Sequence, residues 1–225
     1  MTQQVKNLIT ARTHLLAGVS HDLRTPLTRM LISLELMRLK PDASLIERVE
    51  KDVHHMNLLI SQVMDLSRGL GQEPAQDLDA RQFIQTLVDE YSSHTQCISL
   101  YIQDGVLHAP PIAFGRAITN LLENALRYAP GKPIELHVEM DSGNFRIGIL
   151  DSGPGVPESQ LSLILEPFHR LETSRSPLTG GSGLGLSIVS ELCKANGWKL
   201  EISNRPLGGL QIWISGMTQA NTPLP

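Results

Sequence analysis

The sequence predicts an α+β protein in two parts: an N-terminal helical hairpin that dimerises into a four-helix bundle, then an α/β sandwich. Three observations carry this. The first 70 residues hold few glycines and only two prolines, and their apolar residues recur at spacings of three, four and seven. Beyond residue 74, short runs of strand character alternate with helical ones. Those strand runs come in hairpin-spaced pairs, which favours a sandwich over a doubly wound parallel sheet. At 225 residues the chain is long enough for two modest domains, each with its own core.

The first helix carries a single apolar stripe through Val5, Leu8, Leu15, Val19, Leu23, Met30, Leu34 and Met37. Lys40-Pro41-Asp42-Ala43 interrupts it, and Ser44-Leu45-Ile46-Glu47 reads as a capping box that restarts a helix. Ile46, Val49, Val53, Met56, Ile60, Val63 and Leu70 form the second stripe, ending near Gly69 and Gly71. One hairpin cannot enclose both stripes, so a second copy is expected to complete a four-helix bundle. Gly71-Gln72-Glu73-Pro74 reads as a linker. Then follow a helix over 80–93, a strand over 97–103 and a long helix over 111–128 with proline at its first turn. A hairpin is expected over 134–140 and 145–151, and a short helix over 159–165. The segment 166–182 is irregular, 184–196 is helical, and 199–203 with 210–215 makes a last hairpin over Gly208-Gly209. The expected boundaries are 1–70 for the bundle, 71–78 for the linker, 79–217 for the second domain and 218–225 for a disordered tail.

Charge is balanced, 19 basic against 23 acidic residues, so no basic excess points to nucleic acid or an anionic membrane surface. Cys97 and Cys193 are far apart and lack histidines at ligand spacing, which argues against a disulfide framework or a structural zinc and for buried thiols. No run reaches the ~18 apolar residues a membrane-spanning helix needs, and the polar N-terminus is no signal peptide. As given, the chain is expected to be cytoplasmic.

Four stretches carry chemistry. In Ser20-His21-Asp22-Leu23-Arg24-Thr25-Pro26-Leu27, His21 sits about 200° around the wheel from Val19 and Leu23, away from the apolar stripe. Asp22 follows it, Thr25 stands one turn on along the same face, and Pro26 removes a helical hydrogen bond. An imidazole with one nitrogen held by a carboxylate offers the other as a nucleophile. Asp151-Ser152-Gly153-Pro154-Gly155 ends a strand with glycines that let backbone approach a flat ligand, while the carboxylate can accept from an amine. By itself this is also an ordinary tight turn. Gly180-Gly181-Ser182-Gly183-Leu184-Gly185-Leu186 runs into a helix, where free amides and the helix dipole favour phosphate; a flexible linker is the bland alternative. It lacks the preceding strand and the Lys-Ser/Thr of a P-loop. Asn120 and Asn124, at i and i+4, share a helix face with Arg127 beyond them. Their amide oxygens can complete the shell of a Mg²⁺ already held by phosphate, although asparagine pairs are usually just solvated.

In this order and at these separations, the four stretches resemble the bacterial two-component sensor histidine kinases, over nearly the whole chain from about Leu8 to Gly216. The His21 stretch resembles the H box, Asn120 to Tyr128 the N box, and Asp151 to Gly155 the first glycine box. Phe168-His169-Arg170 resembles the F box and Gly181 to Gly185 the second glycine box. His-Asp-Leu-Arg-Thr-Pro-Leu-Thr-Arg is most similar to the osmosensor kinases that regulate porin expression. The resemblance implies a dimeric phosphoacceptor domain and an ATP-binding domain of the gyrase, Hsp90 and histidine kinase type. It makes His21 the phosphorylated residue and Asp22 the group that orients or deprotonates its ring. Asn124 with Asn120 would bind Mg²⁺, Asp151 would read the adenine amino group, Arg127 would meet phosphate and Tyr128 would border the base. Gly153 and Gly155 would shape the adenine turn, and Gly181, Gly183, Leu184 and Gly185 the lid hinge and phosphate-facing amides. Thr25 would position water for dephosphorylating a partner. That partner would be the receiver domain of a separate response regulator, and the chain would be the cytoplasmic part of an inner-membrane sensor. One departure is Ala109-Pro110-Pro111, where many relatives carry an acidic residue before the N-box helix.

Two other classes compete. An ATPase of the same fold would need a glutamate one turn before the metal-binding asparagine; Asn120 stands there and cannot act as a base. A non-catalytic dimeric signalling module would need none of His21, Asn124, Asp151 and the glycines.

Overall fold

The computed structural model describes residues 23, 25–40, 42–67, 73–89, 91, 98–141, 143–169, 171 and 183–218. The chain divides into two compact units, Met1–Arg68 and Gly69–Pro225.

In the first unit, helix α1 (25–39) and helix α2 (Ala43–Ser67) form the expected hairpin. The turn corrects one detail. Asp42, not Ser44, begins α2: its Oδ1 accepts from the Ser44 amide at 2.9 Å and its carbonyl from Leu45 at 3.1 Å. That bond to the Ser44 amide holds the Asp42 carboxyl below its usual range. The helix passes through Pro26, which is buried. Pro26, Met30, Ser33 and Met37 face inward with Leu45, Val49, Asp52 and Met56, and Arg29 clamps the buried Asp52 carboxylate across the hairpin. Leu27, Leu31 and Leu34 on α1, with Ile46, Val53 and Ile60 on α2, remain 44–67% exposed. The hairpin therefore buries one apolar seam and leaves another open.

The second unit is a five-stranded sheet with helices packed on one face. Strand order is β2-β4-β5-β7-β6, formed by β2 (Ile98–Ile102), β4 (Ile134–Asp141), β5 (Asn144–Leu150), β6 (Lys199–Asn204) and β7 (Leu210–Met217). β2 pairs with β4 in parallel and the other pairings are antiparallel. Period-two alternation sends Ile134, Leu136, Val138, Phe145, Ile147, Ile149, Leu210, Ile212 and Ile214 to the buried face. Against them lie α3 (Ala80–Asp89), α4 (Pro111–Tyr128) and α5 (Gly185–Asn196). Phe114 of α4 is fully buried and meets Phe83, Phe145 and Trp198 at ring-centroid distances of 5.5–5.8 Å. Cys193 of α5 is buried among apolar groups, and desolvation pushes its thiol up to about 12. Cys97 lies outside the described residues, as does the tail 219–225.

Three features differ from the sequence reading. β1 (Gln76–Asp79) and β3 (Val106–Ala109), where no strands were expected, form a separate antiparallel pair. The helix expected over 159–165 is two 3₁₀ turns, Glu158–Gln160 and Leu163–Leu165. And α4, whose prolines leave it with no side-chain cap of its own, is capped from the linker: Glu73 accepts from the Ile112 and Ala113 amides at 3.0–3.1 Å.

Candidate functional site

The site is built along α4. Its eighteen residues carry Asn120, Asn124, Arg127 and Tyr128 over the last three turns, about 12 Å from first to last at 1.5 Å per residue. Asn120 Nδ2 donates back to the Arg116 carbonyl at 2.8 Å, which fixes the amide and frees Oδ1. That oxygen would lie 3.2 Å from a Cβ placed on Gly185, so it faces the first turn of α5. Asn124 is half-buried one turn on, and Arg127 is exposed in the last turn. Glu123 accepts from the Tyr91 hydroxyl at 3.4 Å.

At the other end of the stretch, β5 delivers Asp151, only 5% exposed. Its Oδ1 accepts from the amides of Gly153 at 2.7 Å and Leu210 at 3.2 Å, so a buried carboxylate is held by backbone donors, which offset its desolvation. Oδ2 has no partner among the described residues and is left to accept from elsewhere. A Cβ on Gly153 would sit 2.9 Å from the Tyr128 carbonyl and 2.8 Å from Asp151 Oδ1, so only glycine lets this turn close on the end of α4.

At the end of the glycine run, Gly183 meets Phe168 and His169. Gly183 accepts from the Phe168 amide at 3.0 Å, and a Cβ on Gly183 would lie 3.0 Å from the Phe168 backbone. Phe168 has φ 63°, the one non-glycine residue with positive φ among those described. His169 Nε2 beside it is buried with no hydrogen-bond partner. α5 starts at Gly185 without a side-chain cap, which leaves its first-turn amides to other acceptors. Leu184 is fully buried, so its side chain belongs to the core rather than to a ligand surface.

The structure thus brings Asn120 to Gly185 and Tyr128 to Gly153 and Asp151 along one side of α4. Thr25 is exposed on α1 in the other unit. His21, Asp22, Arg170 and Gly181 lie outside the described residues.

Two family profiles match, one to each part of the chain. Residues 11–72 match the His Kinase A (phospho-acceptor) domain, and residues 109–217 match the histidine kinase-, DNA gyrase B- and HSP90-like ATPase. The chain belongs to the sensor histidine kinases. It is 30% identical to the sensor histidine kinase CpxA of Escherichia coli strain K12 across 95% of this chain and 49% of CpxA. The chain spans 38–49% of the length of the curated relatives it matches, which include the sensor histidine kinase GtrS and the sensor protein kinase PilS of Pseudomonas aeruginosa. The Acinetobacter baumannii histidine kinase AdeS shares the fold with a TM-score of 0.73 at 20% identity, over 89% of this chain and 98% of that one. So does the histidine kinase ThkA, solved in complex with the response regulator TrrA: TM-score 0.74 at 18% identity, over 95% of this chain and 64% of that one.

The chain also holds its Asp151 turn through residues that no local motif marks. Gly209 has φ 97°, and a Cβ there would come within 2.0 Å of the Asp151 carbonyl. Arg205 donates to that same carbonyl at 3.2 Å and to Glu135 at 2.8 Å. Glu135 is held below its usual range first by its hydrogen bond to His137 and then by Arg205. Only the Gly208-Gly209 pair gave a signal, and it reads as a hairpin turn.

Proposed function

We propose that this kinase phosphorylates its own His21 from ATP and passes the phosphoryl group to an aspartate of a separate response regulator. The observation that supports it best is the order of groups along α4: a buried carboxylate with one free oxygen at the end of the helix, and free amide oxygen facing an uncapped helix start two turns back. In this reading Asp151 Oδ2 accepts from the adenine amino group and Tyr128 borders the base. Arg127 meets phosphate, and the amides at Gly183 and Gly185, with Gly181, cradle the phosphate chain. Leu184 anchors that segment through its buried side chain.

Mg²⁺ fits the donor set. Among the described residues no group of three His, Cys, Asp or Glu could hold a metal unaided, while Asn120 Oδ1 and the Asn124 amide suit an ion that phosphate oxygens also ligate. Bound there, the ion would neutralise charge on the phosphates.

At the acceptor, a ring nitrogen of His21 attacks the γ-phosphorus in line. The N–P bond forms as the P–O bond to ADP breaks, and Asp22 orients the ring or takes its proton. Thr25, exposed on α1, is assigned to the reverse traffic: its hydroxyl holds a water in line with the regulator's phospho-aspartate. The open seam of Leu27, Leu31, Leu34, Ile46, Val53 and Ile60 supports a homodimeric four-helix bundle. No helix among the described residues is long and apolar enough to cross a membrane, and we place this chain as the cytoplasmic portion of a membrane sensor.

An ATPase of this fold is disfavoured because Asn120 replaces the base, its amide nitrogen is spent on Arg116, and Glu123 is engaged by Tyr91. Incubation with γ-labelled ATP tests the proposal. Label on the protein supports the kinase; free phosphate alone supports the ATPase; neither returns the chain to a signalling scaffold.

A further inference from the structure

The loop from Asp151 to Glu158 is clamped from β6, about fifty residues away in sequence. Asn204, the last residue of β6, brings both ends of its carboxamide to one residue of this loop. Oδ1 accepts from the Val156 amide at 2.8 Å, and Nδ2 donates to the Val156 carbonyl at 2.7 Å. The same Nδ2 reaches Glu158 Oε1 at 3.0 Å. A side chain here imitates a strand partner, with one donor and one acceptor matched to the N–H and C=O of a single residue. The fit depends on Gly155: at φ 73°, a Cβ would come within 2.8 Å of Asn204 Oδ1. The space that Gly155 leaves open is thus filled by Asn204. Arg205, the next residue, pins the other end of the loop through the Asp151 carbonyl and is itself braced by Glu135 on β4.

Between these two anchors the loop is held by Ser152 Oγ donating to the Pro133 carbonyl at 3.1 Å, by the Gly153 amide donating to Asp151 Oδ1 at 2.7 Å, and by the close approach of Gly153 to Tyr128. A loop with two prolines and two glycines between positions 151 and 157 would otherwise sample several shapes, and ordering it on binding would cost affinity. We infer that Asn204 and Arg205 are positioning residues for nucleotide binding: they hold the Asp151–Glu158 loop in its binding shape beforehand. The inference rests on the reading of Asp151 as the adenine-facing group. Both residues brace the loop at the Asp151 end of the site, so their effect falls on ATP affinity rather than on the transfer step.

The test uses the full chain and reads three quantities: KM for ATP in autophosphorylation, kcat at saturating ATP, and the melting temperature. Losing both Val156 bonds in Asn204→Ala is expected to raise KM by about tenfold while kcat changes far less. Arg205→Met should act in the same direction, and Arg205→Lys, which keeps a cation beside Glu135 and the Asp151 carbonyl, should recover much of the loss. A merely structural role would lower kcat and melting temperature together at unchanged KM, and that pattern overturns the inference. So does wild-type KM in both Asn204→Ala and Arg205→Met. Should Asn204→Ala fail to fold, the Arg205→Met and Arg205→Lys pair carries the same test. Direct titration of the unmodified chain with ATP separates the two levels: no binding at all defeats the adenine reading itself, whereas parental binding matched by the variants defeats only this inference.

Discussion

Replacing Glu73 by alanine strips the start of α4 of its only side-chain acceptor among the described residues. The carboxylate receives the Ile112 amide on both oxygens and the Ala113 amide on Oε2, all at 3.0–3.1 Å. Pro110 at the N-cap offers no side-chain bond and Pro111 has no amide, so no local group can take over. Ile112 is 60% exposed, and water can serve its amide once Glu73 is gone. Ala113 is 5% exposed, and its amide is left with a poor substitute. A lost cap costs about 1 kcal/mol, and removing a negative charge from a helix N-terminus adds about 0.3–1 kcal/mol, so the total is about 1–2 kcal/mol. For a unit of this size that is a fall in melting temperature of about 3–6 °C. Both tryptophans, Trp198 and Trp213, lie in the second unit, so their fluorescence follows its unfolding within the intact chain. Pro110→Asp, placing a carboxylate at the extended N-cap position, should restore most of the loss in the Glu73→Ala background. A melting temperature unchanged in Glu73→Ala, or a Pro110→Asp variant that restores nothing, would refute the assignment of Glu73 as the cap.

Three further outcomes are expected. Gly209→Ala, whose new Cβ would overlap the Asp151 carbonyl at a φ of 97°, should weaken ATP binding at least tenfold by displacing that turn, as read by calorimetric titration; unchanged affinity would show that the turn tolerates displacement. Because the folded-state pKa of Glu135 is lowered, the carboxylate contributes stability that is present above its ordinary value near 4.5 and lost as pH falls through the folded value. The melting-temperature gap between wild type and Glu135→Gln should therefore be widest near neutral pH and close on acidification below 4.5, and a gap that stays constant would contradict the lowered pKa. Leu31→Glu, at a position 67% exposed in the open seam, should shift sedimentation toward monomer while helical circular dichroism is kept; a dimer of undiminished affinity would move the interface elsewhere.

What the sequence revealed follows from where periodicity is strong. α4 begins and ends at the predicted Pro111 and Tyr128, since one apolar face of Phe114, Ile118, Leu121, Leu122 and Ala125 fixes its register. The β4–β5 hairpin emerged within a residue because Ile134, Leu136 and Val138 alternate cleanly with Glu135, His137 and Glu139. β1 was invisible for the opposite reason: in Gln76-Asp77-Leu78-Asp79 only Leu78 is even partly buried, and its pairing with Leu107 is a tertiary fact. The candidate groups on α4 and in the Asp151 turn are marked by local motifs. Their supports are not. Glu73 caps a helix 39 residues away, and Asn204 and Arg205 act on a loop about fifty residues earlier; no local pattern encodes such partners. Asp42 displaced Ser44 as the α2 cap because its carboxylate makes an Asx-type bond to the Ser44 amide and its carbonyl accepts from Leu45, two residues earlier than the capping-box pattern places the cap.

The central claim is that the nucleotide is handled in the second unit and the phosphoryl group received in the first. The most direct measurement is to incubate wild type and His21→Gln with γ-labelled ATP, locate the label by mass spectrometry at neutral pH, and titrate ATP binding to both. The account predicts acid-labile, alkali-stable label on His21 of the wild type, none on His21→Gln, and equal ATP affinity for the two. Acid-stable label, label surviving in His21→Gln, or loss of ATP binding in that variant would contradict it.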